Sequence, residues 1–172
     1  MIINKASANA NRWTFRIKPI KRLVDKYVED GKGWVDPFAG MFSPAEFTND
    51  LNENMKTMYH MDSLEFCNML NGNKYEGVIF DPPYSFRQIK DCYTEFGLKL
   101  TQLDTSNNFY NRVMNAICDK IKPGGYAISC GWNSNGFGKR RGFYQIEILL
   151  VAHGSHANDT IVTVEKKIYD EN

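Results

Sequence analysis

Residues 75–84, Tyr-Glu-Gly-Val-Ile-Phe-Asp-Pro-Pro-Tyr, constrain this chain more than any other stretch. Val78, Ile79 and Phe80 are consecutive, bulky and apolar, which reads as a strand buried on both faces. Strands of that kind belong to parallel sheets covered by helices on each side. Pro82 and Pro83 have no N–H to give to a sheet ladder, so the strand must stop before them. In open α/β sheets, ligands bind beyond the carboxyl ends of the strands. Asp81, Pro82, Pro83 and Tyr84 are therefore delivered to the edge where a site forms.

The rest of the chain offers partners for that strand. Residues 1–12 are small and polar and read as a loose end. From Pro19 on, Ile20, Leu23, Val24, Tyr27 and Val28 fall on one helical face, with proline tolerated in the first turn and Gly31 and Gly33 ending the helix. Strand-like runs follow at 33–38, 46–51 and 57–61, then at 75–80, 125–132, 144–153 and 160–168. A helix over 108–122 carries Phe109, Val113, Ile117 and Ile121 on one face and stops at Lys122-Pro123-Gly124-Gly125. Interleaved helices and apolar strands predict an α/β domain with a mostly parallel sheet of seven strands, the last ones antiparallel. The links between the first three strands are too short for full crossover helices, so the helical layers are reduced.

A chain of 172 residues makes one domain, 1–172, the expectation. Hydrophobic residues at 42% and charged residues at 24% are ordinary for a globular protein. No apolar run is long enough to span a membrane, and the N-terminus lacks the apolar core of a signal peptide. A cytoplasmic protein without membrane attachment is expected. The four cysteines (Cys67, Cys92, Cys118, Cys130) lack the spacing of a zinc or redox motif. His153 and His156 have no evident third ligand, so no metal site is expected. Net charge is +1, so any affinity for nucleic acid must come from a local patch.

Four strand ends carry candidate chemistry. At the first, the proline rings of Asp81-Pro82-Pro83-Tyr84 fix the backbone and leave carbonyls without competing N–H groups. The Asp81 carboxylate and a carbonyl at Pro82 then suit the two N–H groups of an amine. Tyr84 offers a flat face for an extruded base to stack on. A plain turn accounts for the same residues. At the second, Asp36-Pro37-Phe38-Ala39-Gly40 combines a carboxylate with small residues that permit close approach to the backbone. At the third, Asp50, with Leu51 beside it, suits a pair of ribose hydroxyls, as in other nucleotide-binding α/β sheets; a solvated turn is the competing account. At the fourth, Asp62 precedes Ser63-Leu64-Glu65 and reads both as a helix cap and as an acceptor for an adenine amine.

In this order the residues resemble the amino-methyltransferases, and within them the adenine-specific DNA methyltransferases. DPFAG is similar to the family's cofactor loop, TNDLN and YHMDSLEF to the next two cofactor motifs, and DPPY to its catalytic motif. TFRIKPI (14–20) resembles the element that precedes the cofactor loop. Residues 131–167 are similar to small phage-encoded members. The resemblance spans roughly 13–168. It implies a Rossmann-like class I methyltransferase fold, S-adenosylmethionine as cofactor, and methyl transfer to the exocyclic amine of a flipped adenine in DNA. It also implies that Phe15, Ile17 and Pro19 line the methionine pocket. Asp36 would then accept the methionine ammonium.

Two departures from the family stand out. Only residues 41–45 separate Gly40 from Glu46, so the usual first crossover helix is missing. No inserted recognition domain is present either, so a partner subunit or a second copy of the chain is an expected associate. RNA is the alternative substrate. A cofactor-binding subunit that is active only with a partner is the alternative role. For substrate contacts, two segments are candidates. Residues 85–107 carry Arg87, Lys90 and Lys99 among Phe86, Tyr93 and Phe96. Residues 133–142 carry Lys139, Arg140 and Arg141 beside Phe137, in a pattern that suits phosphates and that a solvated basic turn also explains.

Overall fold

Successive side chains of a strand point to opposite faces, and in Tyr75–Phe80 both faces are filled. Val78 and Phe80 join one apolar cluster and Ile79 joins another. The computed structural model, which describes residues 1–84, 86–95, 97, 106–154 and 157–168, places this strand near the centre of one sheet. The strands are β1 (Ile2–Ser7), β2 (Trp34–Asp36), β3 (Phe47–Thr48), β4 (Tyr75–Phe80), β5 (Ile121–Gly131), β6 (Phe143–Ala152) and β7 (Thr160–Lys167). Their order is β1-β6-β7-β5-β4-β2-β3. All neighbours are parallel except that β7 runs antiparallel between β5 and β6.

Helix α1 (Lys18–Val28) packs on one face through Ile20, Leu23, Val24 and Val28, against Ile79, Ile128 and Val162 among others. Helices α2 (Ser63–Met69), α3 (Phe86–Glu95) and α4 (Ser106–Cys118) belong to the other face, where Phe66, Ile89, Val113 and Ile117 meet Val35, Val78 and Phe80. Among the described residues no helix is long and apolar enough to cross a membrane.

Seven strands and a mostly parallel sheet agree with the sequence reading, but the membership differs. Residues 1–12 were expected to be loose, yet Ile2–Ser7 pairs along its length with Glu147–Ala152 of β6. Its polar composition fits an edge strand that is exposed except at Ala6. The expected strand at 57–61 reduces to a single bridge between Asn49 and Tyr59. The helix expected to run to 122 ends at Cys118, and Ile121 to Gly125 begin β5. Ile121 is fully buried in either account, so its helical spacing misleads. Helix α3 occupies part of a segment to which the sequence assigned no element.

A buried carboxylate ties the edge strand to the body. Glu147 on β6 accepts hydrogen bonds from Asn4 Nδ2 at 2.9 Å, Lys26 Nζ at 2.6 Å and the Tyr27 hydroxyl at 2.6 Å. Burial raises its carboxyl, but the bonds from Lys26 and Tyr27 outweigh that and hold it below the usual glutamate range. A depressed carboxyl adds stability at neutral pH that is lost as pH falls through its folded value. Glu147→Gln is expected to lower the unfolding free energy at pH 7 by roughly 1–2 kcal/mol, the size of a lost charge-assisted bond. The difference should narrow on acidification. Urea denaturation across that pH range measures both.

Candidate active site

The four predicted strand ends converge. Beyond the carboxyl edge of β2, β3 and β4 lies a cavity of about 720 Å³. Asp81, Pro82, Pro83 and Tyr84 form one wall of it. The Tyr84 hydroxyl donates to Asp81 Oδ1 at 2.6 Å, and its ring meets Trp132 edge-on at 5.7 Å. Thr14 also lines the cavity, with its hydroxyl near the same carboxyl. Burial pushes Asp81 above the usual aspartate value, and the hydroxyls of Thr14 and Tyr84 pull against that rise. The Tyr110 hydroxyl, from α4, donates to the Pro83 carbonyl. The Tyr84 hydroxyl is thus engaged with the carboxylate beside it.

Pro37, Phe38, Ala39 and Gly40, after the neighbouring β2, line the same cavity. Asp36 lies behind them, fully buried and outside the cavity lining. Its Oδ1 accepts the Phe38 N–H at 2.9 Å and its Oδ2 accepts the Ser43 hydroxyl at 2.6 Å. This corrects the expected ammonium contact, because both oxygens face into the loop that they brace. Burial pushes the Asp36 carboxyl up to about 7, against the pull of Ser43 and the Phe38 N–H.

The missing crossover helix is replaced by side-chain stitches. The Gly40 N–H donates to Asp50 Oδ2 at 2.9 Å, and Asp50 Oδ1 accepts the Asn52 N–H at 2.8 Å. Buried Asn49 donates through Nδ2 to the carbonyls of Pro37 at 3.2 Å and Met61 at 2.9 Å, and its Oδ1 accepts the Met61 N–H at 3.1 Å. Gly40 has φ +54°, in the left-handed region, and the Trp13 ring lies 3.3 Å from where a Cβ would stand. Sequence reasoning missed Asn49 and Trp13. The one signal for Asn49 was its place at the end of a strand with no helix to follow.

Leu51, Asp62 and Ser63 complete the third side of the cavity. Asp62 Oδ1 caps α2 through the N–H groups of Leu64 at 2.9 Å and Glu65 at 3.2 Å, and its Oδ2 accepts the Tyr93 hydroxyl. The helix-cap reading of Asp62 is thus present in the geometry. Ser63 Oγ is buried and has no hydrogen-bond partner among the described residues. Phe15 and Ile17 line the cavity as expected, whereas Pro19 sits in the first turn of α1 and does not.

The basic candidates fare differently. Arg87 and Lys90 are exposed on α3, and Arg87 faces Asp91 at 3.9 Å. Ile89 and Tyr93, rather than these cations, turn to the cavity. Lys139, Arg140 and Arg141 form a short 3-10 turn just before β6. Because β6 runs parallel to β5, its start lies at the amino edge of the sheet, opposite the cavity: Phe143 pairs with Lys167, whose neighbour Lys166 pairs with Tyr126, itself level with Gly77 in the first half of β4. Arg141 is spent on Asn115, Asn111 and the Phe137 carbonyl. The expected phosphate loop is therefore not at the site. The loop is drawn back by Glu165, which accepts the N–H groups of Phe137 at 2.5 Å and Gly138 at 3.0 Å. His153 lines the cavity, with its ring between the Ala8 carbonyl at 2.8 Å and the Thr160 hydroxyl at 2.9 Å. Lys99, Phe96 and His156 lie outside the described residues, as does the Phe86 side chain.

No protein-family model and no curated protein matches the chain. Solved structures do resemble it. TrmN from Thermus thermophilus superposes with a TM-score of 0.59 at 13% identity, over 88% of this chain and 49% of that one. The 1,6-didemethyltoxoflavin-N1-methyltransferase of Burkholderia thailandensis gives 0.57 at 10% identity, over 88% and 78%. Its structure holds 1,6-didemethyltoxoflavin and S-adenosylhomocysteine. The Escherichia coli methyltransferase yhhF gives 0.55 at 9% identity, over 93% and 88%. The fold is the Rossmann-like fold of the class I methyltransferases. Identities this low speak to the fold alone.

A buried carboxyl raised to about 7 binds its proton more tightly in the folded chain than in the unfolded one. Stability from that group is present below the unfolded value and is lost as pH rises towards 7. Asp36→Asn keeps an oxygen for the Phe38 N–H and removes the titration. Its urea midpoint should vary less than the wild type's between about pH 4 and 7. An unchanged pH slope would contradict the buried, proton-binding carboxyl.

Proposed function

We propose that this chain is an S-adenosylmethionine-dependent methyltransferase that acts on an exocyclic amine of a nucleic-acid base, adenine in DNA being the substrate. The observation that carries the reading is the position of Asp81-Pro82-Pro83-Tyr84 on a wall of the same cavity that Pro37–Gly40, Asp50 and Ser63 line. The cavity suits the cofactor on three counts. Its volume of about 720 Å³ lies in the range of small-molecule sites. Ser63 Oγ is a buried polar atom still in need of a partner. Gly40 leaves the loop backbone without a side chain on the cavity side.

Pro37–Gly40, with Phe15 and Ile17, would hold the methionine half, Asp50 the ribose and Asp62-Ser63 the adenine. When bound, the cofactor supplies an electrophilic methyl group on a sulfonium. The protein's task is to make a poor nucleophile better. The lone pair of a base amine is delocalised into the ring, and acceptors on both N–H groups favour a pyramidal nitrogen. The Asp81 carboxylate and the Pro82 carbonyl are those acceptors. A carboxylate has room for about four hydrogen bonds, so the Tyr84 hydroxyl leaves capacity for the amine while fixing the carboxyl's direction. That fixed direction is electrostatic preorganisation rather than acid–base relay.

Closure of the Gly40 loop by Asn49 and Asp50 favours a chain that builds its cofactor site without a partner. The same chemistry on an RNA base is the alternative. Labelled methyl transfer from S-adenosylmethionine to matched DNA and RNA, followed by nucleoside analysis, separates the two by where the label appears. Asp81→Ala should cut transfer by at least about 10²-fold, the scale of a lost preorganised contact, and leave cofactor affinity largely intact by calorimetry. Retained activity would sink the mechanism. Because the raised Asp81 carboxyl must be ionised to accept the amine, the rate should fall on acidification with a midpoint above the ordinary aspartate value. A pH–rate profile reads this directly.

A further inference from the structure

With Lys139–Arg141 at the far edge of the sheet, another surface must meet the substrate's phosphates if the reading above holds. The sequence from Arg12 to Arg22, Arg-Trp-Thr-Phe-Arg-Ile-Lys-Pro-Ile-Lys-Arg, has five cations in eleven residues and no carboxylate. The whole chain carries only +1, so the remainder is net acidic and the positive charge is concentrated here. All five cations are exposed. Lys21 is committed to Asp25 at 2.6 Å, whereas Arg12, Arg16, Lys18 and Arg22 make no ion pair among the described residues. Lys18 and Arg22 are four apart on α1 and share one helical face.

Aromatic rings are set among these cations. Trp13 and Phe42 form an edge-to-face pair with centroids 5.7 Å apart. The Arg12 guanidinium lies 4.7 Å from the Trp13 ring centre and that of Arg16 lies 4.9 Å from Phe42. Phe42 is partly open to solvent at 37%. Arg12, Trp13, Thr14 and Phe42 line the same cavity as Asp81 and Tyr84. Cations interleaved with partly exposed aromatic rings are the pattern that holds unpaired bases: phosphates meet the charges, and any base can stack on a ring. A closed duplex offers no base face to such rings.

We propose that the segment from Arg12 to Arg22, with Phe42, is the surface on which a single-stranded nucleic acid lies while its target base enters the cavity. Arg12, Arg16, Lys18 and Arg22 contact phosphates, and Trp13 with Phe42 stacks a neighbouring base. The assignment rests on the nucleic-acid reading of the site but concerns a surface which that reading does not specify.

The test is fluorescence anisotropy of the full chain with a labelled single strand of about 12 nucleotides, within the usual site size, as DNA and as RNA, with the matching duplex alongside. Arg12→Ala with Arg16→Ala should weaken single-strand binding at least tenfold. The same pair should reduce the magnitude of the log–log salt dependence by about 1.4, two contacts at ~0.7 each. Trp13→Ala should lose about tenfold, and Trp13→Phe should recover most of it. Lys139→Ala with Arg140→Ala should bind as the wild type does. Wild-type affinity in the Arg12 and Arg16 variant, or a duplex preferred over the single strand, overturns the surface and leaves the methyl-transfer reading standing. A wild-type chain that binds neither DNA nor RNA in any form overturns both.

Discussion

Strand ends leave backbone groups that need hydrogen-bond partners, and the cavity of this protein exists because three side chains supply them. In a sheet with full crossover helices, the first helical turn after each strand absorbs those groups. Here β2 and β3 are followed by turns only. Asn49 bonds to Pro37 and Met61, Asp50 to the Gly40 and Asn52 N–H groups, and Asp36 to Phe38 and Ser43. Together they hold the loops after β2 and β3, and the chain at Met61, at fixed spacing. Loss of any of these stitches would leave buried polar groups unmatched, each of which costs about 1–3 kcal/mol.

The same economy explains why two of the carboxylates sit in unfavourable surroundings. Asp36 and Glu165 are fully buried, and burial raises both carboxyls. Each compensates by accepting from loop backbone, Glu165 from Phe137 and Gly138 and Asp36 from Phe38. Gly136 belongs to this arrangement: at φ +56° a Cβ would stand 2.2 Å from Glu165 Oε2. Glu165 thereby turns the chain after β5 away from the site and down the sheet. One anchoring residue separates the catalytic edge, where Trp132 still touches Tyr84, from the basic turn at Lys139–Arg141.

The site itself combines rigidity and crowding. Asp81 is bonded by Tyr84 of the motif and approached by Thr14 from the segment before α1. That segment is thus coupled both to the proposed chemistry and to the proposed strand-binding surface. Trp13 packs over Gly40 while its neighbour Thr14 reaches Asp81, so the approach of a strand and the set of the carboxylate share one short piece of chain.

Much of this was legible in the sequence, for a physical reason. Short-range signals are written in residue type: Val78-Ile79-Phe80 followed by two prolines dictates a buried strand that stops, Ile20-Leu23-Val24-Val28 dictates an amphipathic helix, and Asp62 before Ser63-Leu64-Glu65 dictates a cap. The order of carboxylate-bearing segment ends predicts Asp50, Asp62 and Asp81 on one edge, where they line one cavity. What tertiary structure decided depends on direction and long-range pairing. Ile2–Ser7 has no pattern of its own and becomes a strand only because β6 offers it an edge and Glu147 holds Asn4. Ile121 keeps helical spacing yet begins β5 beside Tyr75. Asp36 carries the expected residue type, but its side chain points into the loop. Lys139–Arg141 have the composition of a phosphate site and stand at the wrong edge, because a parallel strand must start where its neighbour starts. The sequence by itself determined which residues form the strands and helices of the core and which groups end them. Only the folded chain decided which way those groups face, since facing is set by partners distant in sequence.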